Sequence, residues 1–210
     1  MTISREEALE RIYNPSGTAD LRESYDAWAR EYDTDMAARG YKLPGFVTAL
    51  VARHVAMGDG PILDAGAGTG QLGEWLDMAG YRNLAANDLS EGMLRVAESR
   101  KVYGELKCEA LGNRLDYPDG HFRAVASAGS FGVHHAPASA FEELVRITQP
   151  GGHLVITVRH IGMEEGNFPQ EVDRLEQAGL WRTLETHGPF FAFRDEPDSL
   201  YMAWVFQKTG

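Results

Sequence analysis

The sequence predicts an α/β domain with a seven-stranded, mostly parallel sheet, helices on both faces of that sheet, and a helical N-terminal lid. Two observations lead to this prediction. After Pro61, short apolar runs alternate with amphipathic stretches, which is the pattern of strands and crossover helices. The first 60 residues lack this alternation and are rich in aromatic side chains. We interpret the chain as one domain over residues 1–210, with residues 1–60 as the lid and residues 61–210 as the core.

Composition supports a single globular core and narrows the classes of partner. A chain of 210 residues, 43% of them hydrophobic, is long enough to bury one sizeable core. The net charge of −11 disfavours a nucleic-acid partner, because phosphate binding depends on Lys and Arg. Cys108 is the single cysteine, so no intrachain disulfide forms, and we expect a buried thiol on a strand.

We expect no targeting signal from the N-terminal sequence. "MTISREEALERIY" lacks the apolar segment of a signal peptide, and no apolar run approaches the roughly 20 residues that span a bilayer. We therefore expect a cytoplasmic protein without a membrane partner.

The lid begins the series of elements and contains a stripe of aromatic residues. Tyr25, Trp28 and Tyr32 are spaced i, i+3 and i+7, on one face of a helix, and Tyr41 follows past Gly40. Such a stripe packs against a core by default. The alternative is that the tyrosines close over a ligand, and a cationic ligand would gain from their ring faces.

The core then alternates strands and helices. The predicted strands are residues 62–65, 84–87, 105–109, 123–127, 153–159, 180–187 and 200–207. Buried helix faces are predicted at Leu72, Trp75, Leu76 and Ala79, and at Phe141, Leu144, Val145 and Thr148. The segment "HGPFFAFRDEPDSL", between the last two strands, is predicted to be a structured loop. Right-handed crossovers would bring the carboxyl ends of the strands to one edge, where ligands bind.

The first predicted strand opens into a glycine-rich turn. Gly66, Gly68 and Gly70 form G-x-G-x-G, one residue shorter than the dinucleotide fingerprint. Glycine suits this turn because the chain must adopt positive φ and approach a ligand closely. Asp88 ends the second strand, eighteen residues beyond Gly70, about where an acid accepts ribose hydroxyls. Alternatively, Asp88 caps the helix that begins at Ser90, although Ser90 can cap that helix itself.

These motifs resemble those of the class I S-adenosylmethionine-dependent methyltransferases over nearly the whole chain. The resemblance is carried by D-x-G-x-G-T-G at residues 64–70, Asp88 with "LSEGML", and "RITQPGGHLVITV" at residues 146–158. "YDAWAREYD", "GYKLP", "ALGNRLDYPDGHF", Arg159 and "LEQAGLW" are similar to the Williams–Beuren-region methyltransferase-like group. The resemblance implies a Rossmann-like fold, S-adenosyl-L-methionine as cofactor, S-adenosyl-L-homocysteine as product, and a small-molecule acceptor.

The resemblance also implies which residues hold the cofactor. Residues 64–70 would wrap its methionine part, Asp88 would bind the ribose, and Leu89 and Met93 would contact the adenine. Leu111 and Gly112 stand where the family often has an adenine-binding acid, with Glu109 as an alternative two residues earlier. The predicted cofactor-binding residues are thus Asp64, Ala65, Gly66, Gly68, Gly70, Asp88, Leu89, Met93, Leu111, Gly112 and Ala128, with Tyr25, Trp28 and Tyr32 of the lid.

The loop after the fourth strand, "AGSFGVHH", is implied to lie beside the reactive methyl group. Methyl transfer is an in-line displacement in which alignment alone contributes about 7–11 kcal/mol, so a base is optional. For an alcohol or ammonium acceptor, His134 and His135 are the candidate bases. Alternatively, these histidines orient backbone or pack on the cofactor.

Other residues are candidates for binding the acceptor. Arg159 ends the fifth strand and is placed either to bind a substrate carboxylate or to pair with Glu164, Glu165 or Asp173. Tyr41, His160, Phe191 and Arg194 complete the predicted acceptor site. An acceptor that carries an acid group follows from this set.

Two other functions and a metal site agree less well with the sequence. A nicotinamide-dependent oxidoreductase would have the longer glycine spacing and a Tyr-Lys pair near the fourth strand, and neither is present. A protein that binds the nucleoside without transferring a methyl group also fits the glycine turn and Asp88, although the aromatic lid and the His134-His135 pair favour catalysis. The adjacent His134 and His135 lack the spacing of metal ligands, so no metal is expected.

Overall fold

The protein contains one seven-stranded sheet in the order β3-β2-β1-β4-β5-β7-β6. The computed structural model describes residues 7, 10–12, 14–194, 196 and 199–210. The strands are β1 (Ile62–Ala65), β2 (Leu84–Asp88), β3 (Glu105–Cys108), β4 (Phe122–Phe131), β5 (Thr148–Arg159), β6 (Trp181–Phe191) and β7 (Leu200–Lys208). Strand β7 is antiparallel to β5 and β6, and all other pairings are parallel. The predicted α/β class with a mostly parallel sheet is confirmed.

Seven helices accompany the sheet over residues 14–194 and 199–210 of the described chain. They are α1 (Thr18–Trp28), α2 (Tyr32–Ala38), α3 (Leu43–His54), α4 (Gln71–Met78), α5 (Glu91–Ser99), α6 (Ala140–Ile147) and α7 (Phe168–Gln177). The lid was predicted to be helical from residue 1. At positions 1–6, 8, 9 and 13 this prediction lies outside the described residues.

Apolar side chains on both faces of the sheet form the core. On one face, Leu63 packs in a cluster with Phe141 of α6 and Leu175 of α7. On the other face, the neighbouring Ile62 packs with Leu50 of α3. Successive strand residues point to opposite faces, so a strand covered on both sides reads as a continuous apolar run. This double coverage explains why β1 is recognisable from sequence.

The N-terminal helices divide between the sheet and the edge above it. The body of α3 covers the sheet, because its buried residues share a cluster with β1 and α4. Helices α1 and α2 instead share a third cluster, which contains Leu21, Trp28, Met36, Phe193 and Tyr201. The part of the predicted lid that does not cover the sheet is therefore α1 and α2.

Three elements differ from the sequence prediction. Strand β4 continues to Phe131 instead of ending at residue 127, and β5 begins at Thr148 instead of at residue 153. The predicted loop after residue 187 is wrong at its start, because β6 continues to Phe191, which pairs with Leu200 of β7. A long antiparallel partner extends the strand through residues whose local signals favour a turn.

Three predicted burials are also corrected. Trp75 is 46% exposed and Ala79 is exposed, because the buried side of α4 consists of Leu72, Gly73 and Leu76. Cys108 is exposed, because β3 is an edge strand of the sheet.

Candidate functional site

A cleft of about 400 Å³ opens at the carboxyl ends of the parallel strands. It lies where the strand order reverses, between β1 and β4, which is the position that ligands occupy in open α/β sheets. The segments after β1, β2, β3 and β4 all line it, together with tyrosines of the N-terminal segment. Its volume lies within the usual range of small-molecule sites, roughly 300–1,000 Å³.

The glycine turn forms the floor of the cleft. Gly66 has φ +71°, and a Cβ there would lie 2.4 Å from Oγ of Ser130. The same Ser130 hydroxyl donates to the Gly66 carbonyl at 2.8 Å, which ties β4 to the turn. Gly68 has φ +56° and open space where a Cβ would point. The turn therefore leaves room for a ligand directly above its backbone.

Asp88 lies beside this turn and is 7% exposed. One carboxylate oxygen accepts from the Gly68 amide at 2.8 Å and the other from the Ser90 amide at 2.9 Å. Burial raises the pKa of Asp88 to about 6. The Ser90 hydroxyl accepts from the Met93 amide at 3.0 Å, so Ser90 caps α5. Asp88 is therefore available at the cleft as a hydrogen-bond acceptor.

Asp64 is the second buried carboxylate of the cleft. Its Oδ2 accepts a hydrogen bond of 2.6 Å from the Tyr103 hydroxyl, which itself accepts from the Gly73 amide at 3.1 Å. Burial raises the pKa of Asp64 to about 7. A Cβ at Gly73 would lie 2.1 Å from Oη of Tyr103, so glycine is required there. The sequence prediction missed Tyr103, which orients this carboxylate.

The segment after β3 contributes residues 109–113 to the cleft wall. Leu111 and Gly112 are among them, as predicted, and so is the alternative acid Glu109. The Glu109 amide donates to the Asp88 carbonyl at 2.9 Å, and the Asn87 side chain donates to the Glu109 carbonyl at 3.1 Å. These bonds hold the Glu109 backbone beside the end of β2.

Three of the four aromatic residues predicted from the N-terminal segment line the cleft. They are Tyr25, Tyr32 and Tyr41. The Tyr41 hydroxyl donates to the Ala128 carbonyl at 3.2 Å. The prediction that Trp28 contacts the cofactor is corrected. Its side chain is 4% exposed and donates to Oδ2 of Asp35 at 2.7 Å. Trp28 lines a second, adjoining cavity instead of the cleft.

The two candidate bases have different surroundings. His135 Nδ1 lies 3.1 Å from the Val133 carbonyl, and its Nε2 lies 2.9 Å from the Tyr25 hydroxyl. A carbonyl only accepts, so Nδ1 carries the hydrogen and Nε2 accepts from Tyr25. Burial, and secondarily Arg159, lower the pKa of His135. His134 also lines the cleft, but it is exposed and has φ +66°.

A second cavity of about 80 Å³ adjoins the cleft. Tyr25, Tyr32, Tyr41, Gly129 and His135 line both spaces, so the two spaces meet at these residues. Arg159 and Arg39 line the second cavity, and no carboxylate does so among the described residues. Arg39 is paired with Glu196. The cleft has the opposite composition, with Asp64, Asp88 and Glu109 but no Lys or Arg in its described lining.

Several predicted site residues lie outside both cavities. His160 and Arg194 are exposed, and Phe191 is 54% exposed. None of these three lines either space. Ala65 is buried within β1, and Gly70 caps α4 in the left-handed region, so both shape the turn from beneath. Leu89, Met93 and Ala128 line the cleft.

Two further properties concern the described residues as a group. None of the helices among them is long and apolar enough to cross a membrane. Groups of three or more His, Cys, Asp or Glu side chains suited to a metal ion are absent from this part of the chain.

Comparison with known proteins gives a consistent family. A family model for the methyltransferase domain matches residues 63–156. Methyltransferase-like protein 27 of Homo sapiens is 33% identical over 192 residues, which cover 85% of this chain and 76% of the human protein. Demethylmenaquinone methyltransferase of Paenarthrobacter aurescens is 35% identical over 136 residues, 63% of this chain and 52% of that enzyme.

Solved structures share the fold at lower identity. The TehB-like SAM-dependent methyltransferase of Corynebacterium glutamicum superimposes with a TM-score of 0.66 and 21% identity, over 87% of this chain and 99% of that one. This likeness supports the sheet topology described above.

Proposed function

The chain belongs to the class I S-adenosylmethionine-dependent methyltransferases, in the group of methyltransferase-like protein 27, and on that premise we propose that it methylates a small acceptor carrying a carboxylate. S-adenosylmethionine is its methyl donor. The charges and hydrogen bonds of the two adjoining cavities support the proposed acceptor and the proposed roles of individual residues.

The residues of the cleft suit the methyl donor. Bound S-adenosylmethionine supplies an electrophilic methyl group on a positively charged sulfonium. The described lining contains three carboxylates and no Lys or Arg, which favours a cation with hydroxyl groups over a pyrophosphate. The open space above Gly68 leaves room for the ligand to approach the turn. The site therefore fits this cofactor better than a dinucleotide.

Individual residues take the following roles in the proposal. Asp88 accepts the ribose hydroxyls, because it is buried at the cleft wall and held by two backbone amides. Asp64, oriented by Tyr103, accepts from the ammonium of the methionine part. Leu89, Met93, Leu111 and Gly112, with Glu109, surround the adenine.

The observation that carries the acceptor proposal is the opposite charge of the two adjoining cavities. Arg159 and Arg39 line the second cavity, and no carboxylate lines it among the described residues. Because Arg159 lies close enough to His135 to lower the pKa of that imidazole, it is the guanidinium proposed to bind the acceptor's carboxylate, with two parallel hydrogen bonds. The volume of about 80 Å³ suits a small acid. The name of the demethylmenaquinone methyltransferase relatives indicates a small-molecule substrate, which supports a small molecule over a macromolecule as the acceptor.

Tyr25 and His135 provide a path for the acceptor's proton. Both residues line the cleft and the second cavity, where the acceptor atom would meet the methyl group. The acceptor's proton passes to Oη of Tyr25 while the Tyr25 proton passes to Nε2 of His135. The imidazole is neutral beforehand, since its pKa is lowered by burial. Alignment by the aromatic walls supplies the larger part of the rate acceleration.

The test combines binding and turnover. Isothermal titration with S-adenosylmethionine, S-adenosylhomocysteine and NAD checks the cofactor site in the wild type and in Asp88→Ala. A panel of small carboxylic acids that also carry a hydroxyl, amino or thiol group as the methyl acceptor, each paired with its methyl ester, is then incubated with methyl-labelled cofactor. We expect the acids to be methylated and the esters to be poor acceptors.

Two variants make the acceptor assignment specific. Arg159→Ala should raise KM for the acid at least about tenfold and leave its ester unaffected. Arg194→Ala removes an exposed arginine outside both cavities and serves as the matched control. Equal turnover of acids and esters by the wild type would refute the carboxylate assignment, and cofactor binding without methylation of any acceptor would favour a silent binding module.

A further inference from the structure

The segment "SYDAWAREYD" repeats a Tyr-Asp pair at an interval of seven residues. The first pair is Tyr25-Asp26 and the second is Tyr32-Asp33. Both tyrosines line the cleft, whereas each aspartate contacts a different loop of the core. The following inference rests on the proposed placement of the cofactor in this cleft.

Asp26 contacts the start of α5, directly after the ribose-site residue Asp88. Its Oδ1 accepts from the Ser90 hydroxyl at 2.6 Å and from the Gly92 amide at 2.6 Å. A Cβ at Gly92 would lie 2.8 Å from Cα of Asp26, so the two backbones approach as closely as glycine allows. A carboxylate is favourable here because helix N-termini carry partial positive charge. Asp26 therefore links α1 to the loop between β2 and α5.

Asp33 contacts the glycine turn at the other end of the cleft. Its Oδ1 accepts from the Thr69 hydroxyl at 2.6 Å and from the Gln71 side chain at 2.8 Å. Its Oδ2 is paired with Arg100, and Arg100 Nε also donates to the Thr69 carbonyl at 2.6 Å. Asp33 therefore links the start of α2 to the loop between β1 and α4.

We infer that Asp26 and Asp33 are positioning residues that attach α1 and α2 to the two cofactor-binding loops, and so hold Tyr25 and Tyr32 over the cofactor. In this arrangement each aspartate binds a loop of the core, and the tyrosine before it lines the cleft. Because the same loops carry Asp88 and Gly68, closing the lid and forming the cofactor site are one event. Cofactor affinity then depends on residues that do not contact the cofactor.

The size of the effect follows from the population of the closed lid. When only a fraction of the protein is competent to bind, the apparent Kd rises by the inverse of that fraction. Hydrogen bonds to charged groups are among the stronger polar contacts in proteins, and Asp26 makes two with a single oxygen. We expect Asp26→Ala to weaken S-adenosylhomocysteine binding by about tenfold or more.

The experiment measures how well α1 and α2 are held in the ligand-free protein and how tightly the protein binds its ligand. Hydrogen exchange of the ligand-free protein reports on residues 18–38, and isothermal titration with S-adenosylhomocysteine reports the affinity. The variants are Asp26→Ala, Asp26→Asn and Asp33→Ala, with Glu31→Ala as the control. Glu31 is exposed and carries the same charge in the same segment. Exchange within β1 and β4 checks that each variant retains the folded core.

The expected results distinguish the role of Asp26 as a hydrogen-bond acceptor from a general effect of its charge. Asp26→Ala and Asp33→Ala should speed exchange in residues 18–38 and raise the Kd, while Glu31→Ala behaves as the wild type. Asp26→Asn keeps the oxygen that both donors use, so its affinity should return to within about threefold of the wild type.

Three results would overturn the inference. They are wild-type affinity in both alanine variants, unchanged exchange in residues 18–38, or an Asp26→Asn variant as weak as Asp26→Ala. Failure of the wild type to bind S-adenosylhomocysteine would instead count against the proposed function, and the ligand-free exchange data separate the two cases.

Discussion

Replacement of Asp64 by asparagine should make the ligand-free protein more stable, and the gain should grow with pH. Asp64 is 2% exposed, and burial raises its pKa to about 7 from the ordinary value of 3.8. Between these two pH values the folded state keeps a proton that the unfolded state has released. The free energy of unfolding therefore falls as the pH rises through this range.

The magnitude follows from the difference between the two pKa values. A difference of about three, at about 1.4 kcal/mol for each, gives a cost of about 4 kcal/mol for the ionised carboxylate above pH 7. Asparagine is neutral at every pH and keeps a carbonyl oxygen for the Tyr103 hydroxyl. Allowing for a weaker bond to Tyr103, we expect a gain of about 2–4 kcal/mol at pH 8 and about 1–2 kcal/mol at pH 5.

Urea unfolding at pH 5 and pH 8, followed by circular dichroism, measures these differences. Asp173→Asn is the control, because Asp173 is exposed on α7, and its unfolding free energy should stay within about 0.5 kcal/mol of the wild type. A variant less stable than the wild type at pH 8, or a difference that does not change with pH, would refute the reasoning. The same variant should bind S-adenosylmethionine less tightly, since the carboxylate serves the ligand at the expense of stability.

Three further predictions concern ligand binding and turnover. Asp88→Ala should weaken S-adenosylhomocysteine binding by about tenfold or more in a calorimetric titration, and wild-type affinity would remove its proposed role at the ribose. His135→Ala should lower kcat about a hundredfold for an acceptor that must lose a proton, whereas His134→Ala should have the smaller effect; the reverse order would transfer the base role to His134. Tyr32→Ala should slow transfer in steady-state kinetics because the cleft loses its cover, and unchanged kinetics would leave Tyr32 as packing.

The fold was predictable where its determinants are local. Strand β1 has the predicted bounds, because burial on both faces produces an unbroken apolar run between turn signals. The end of β6 was not predictable, because pairing of Phe190 with Tyr201 decides it from across a hairpin. The local signals around Pro189 favour a turn and contain nothing about the partner strand.

Some residues of the candidate site were likewise predictable from the sequence, and others were not. Gly66, Gly68 and Asp88 follow strand ends, so the topology alone brings them together at one edge. Tyr103 reaches Asp64 over a separation of 39 residues, and its position before β3 gives no local sign of that contact. Trp28 shares a helical stripe with Tyr25, but one step of three residues turns the helix by about 60° short of a full circle. That rotation is enough to move Trp28 from the cleft into the second cavity.

Under the proposed function, the segregation of charge between the two cavities bears on how the two ligands exchange. The acidic acceptor proposed above would be repelled from the carboxylate-lined cleft, so we expect it to compete poorly with the donor and excess acceptor to cause little inhibition. Methyl transfer converts the sulfonium into a neutral thioether, so the attraction from Asp64 and Asp88 falls once the reaction is complete. In the proposed site, the carboxylates that attract the donor would thereby favour its exchange after every turnover.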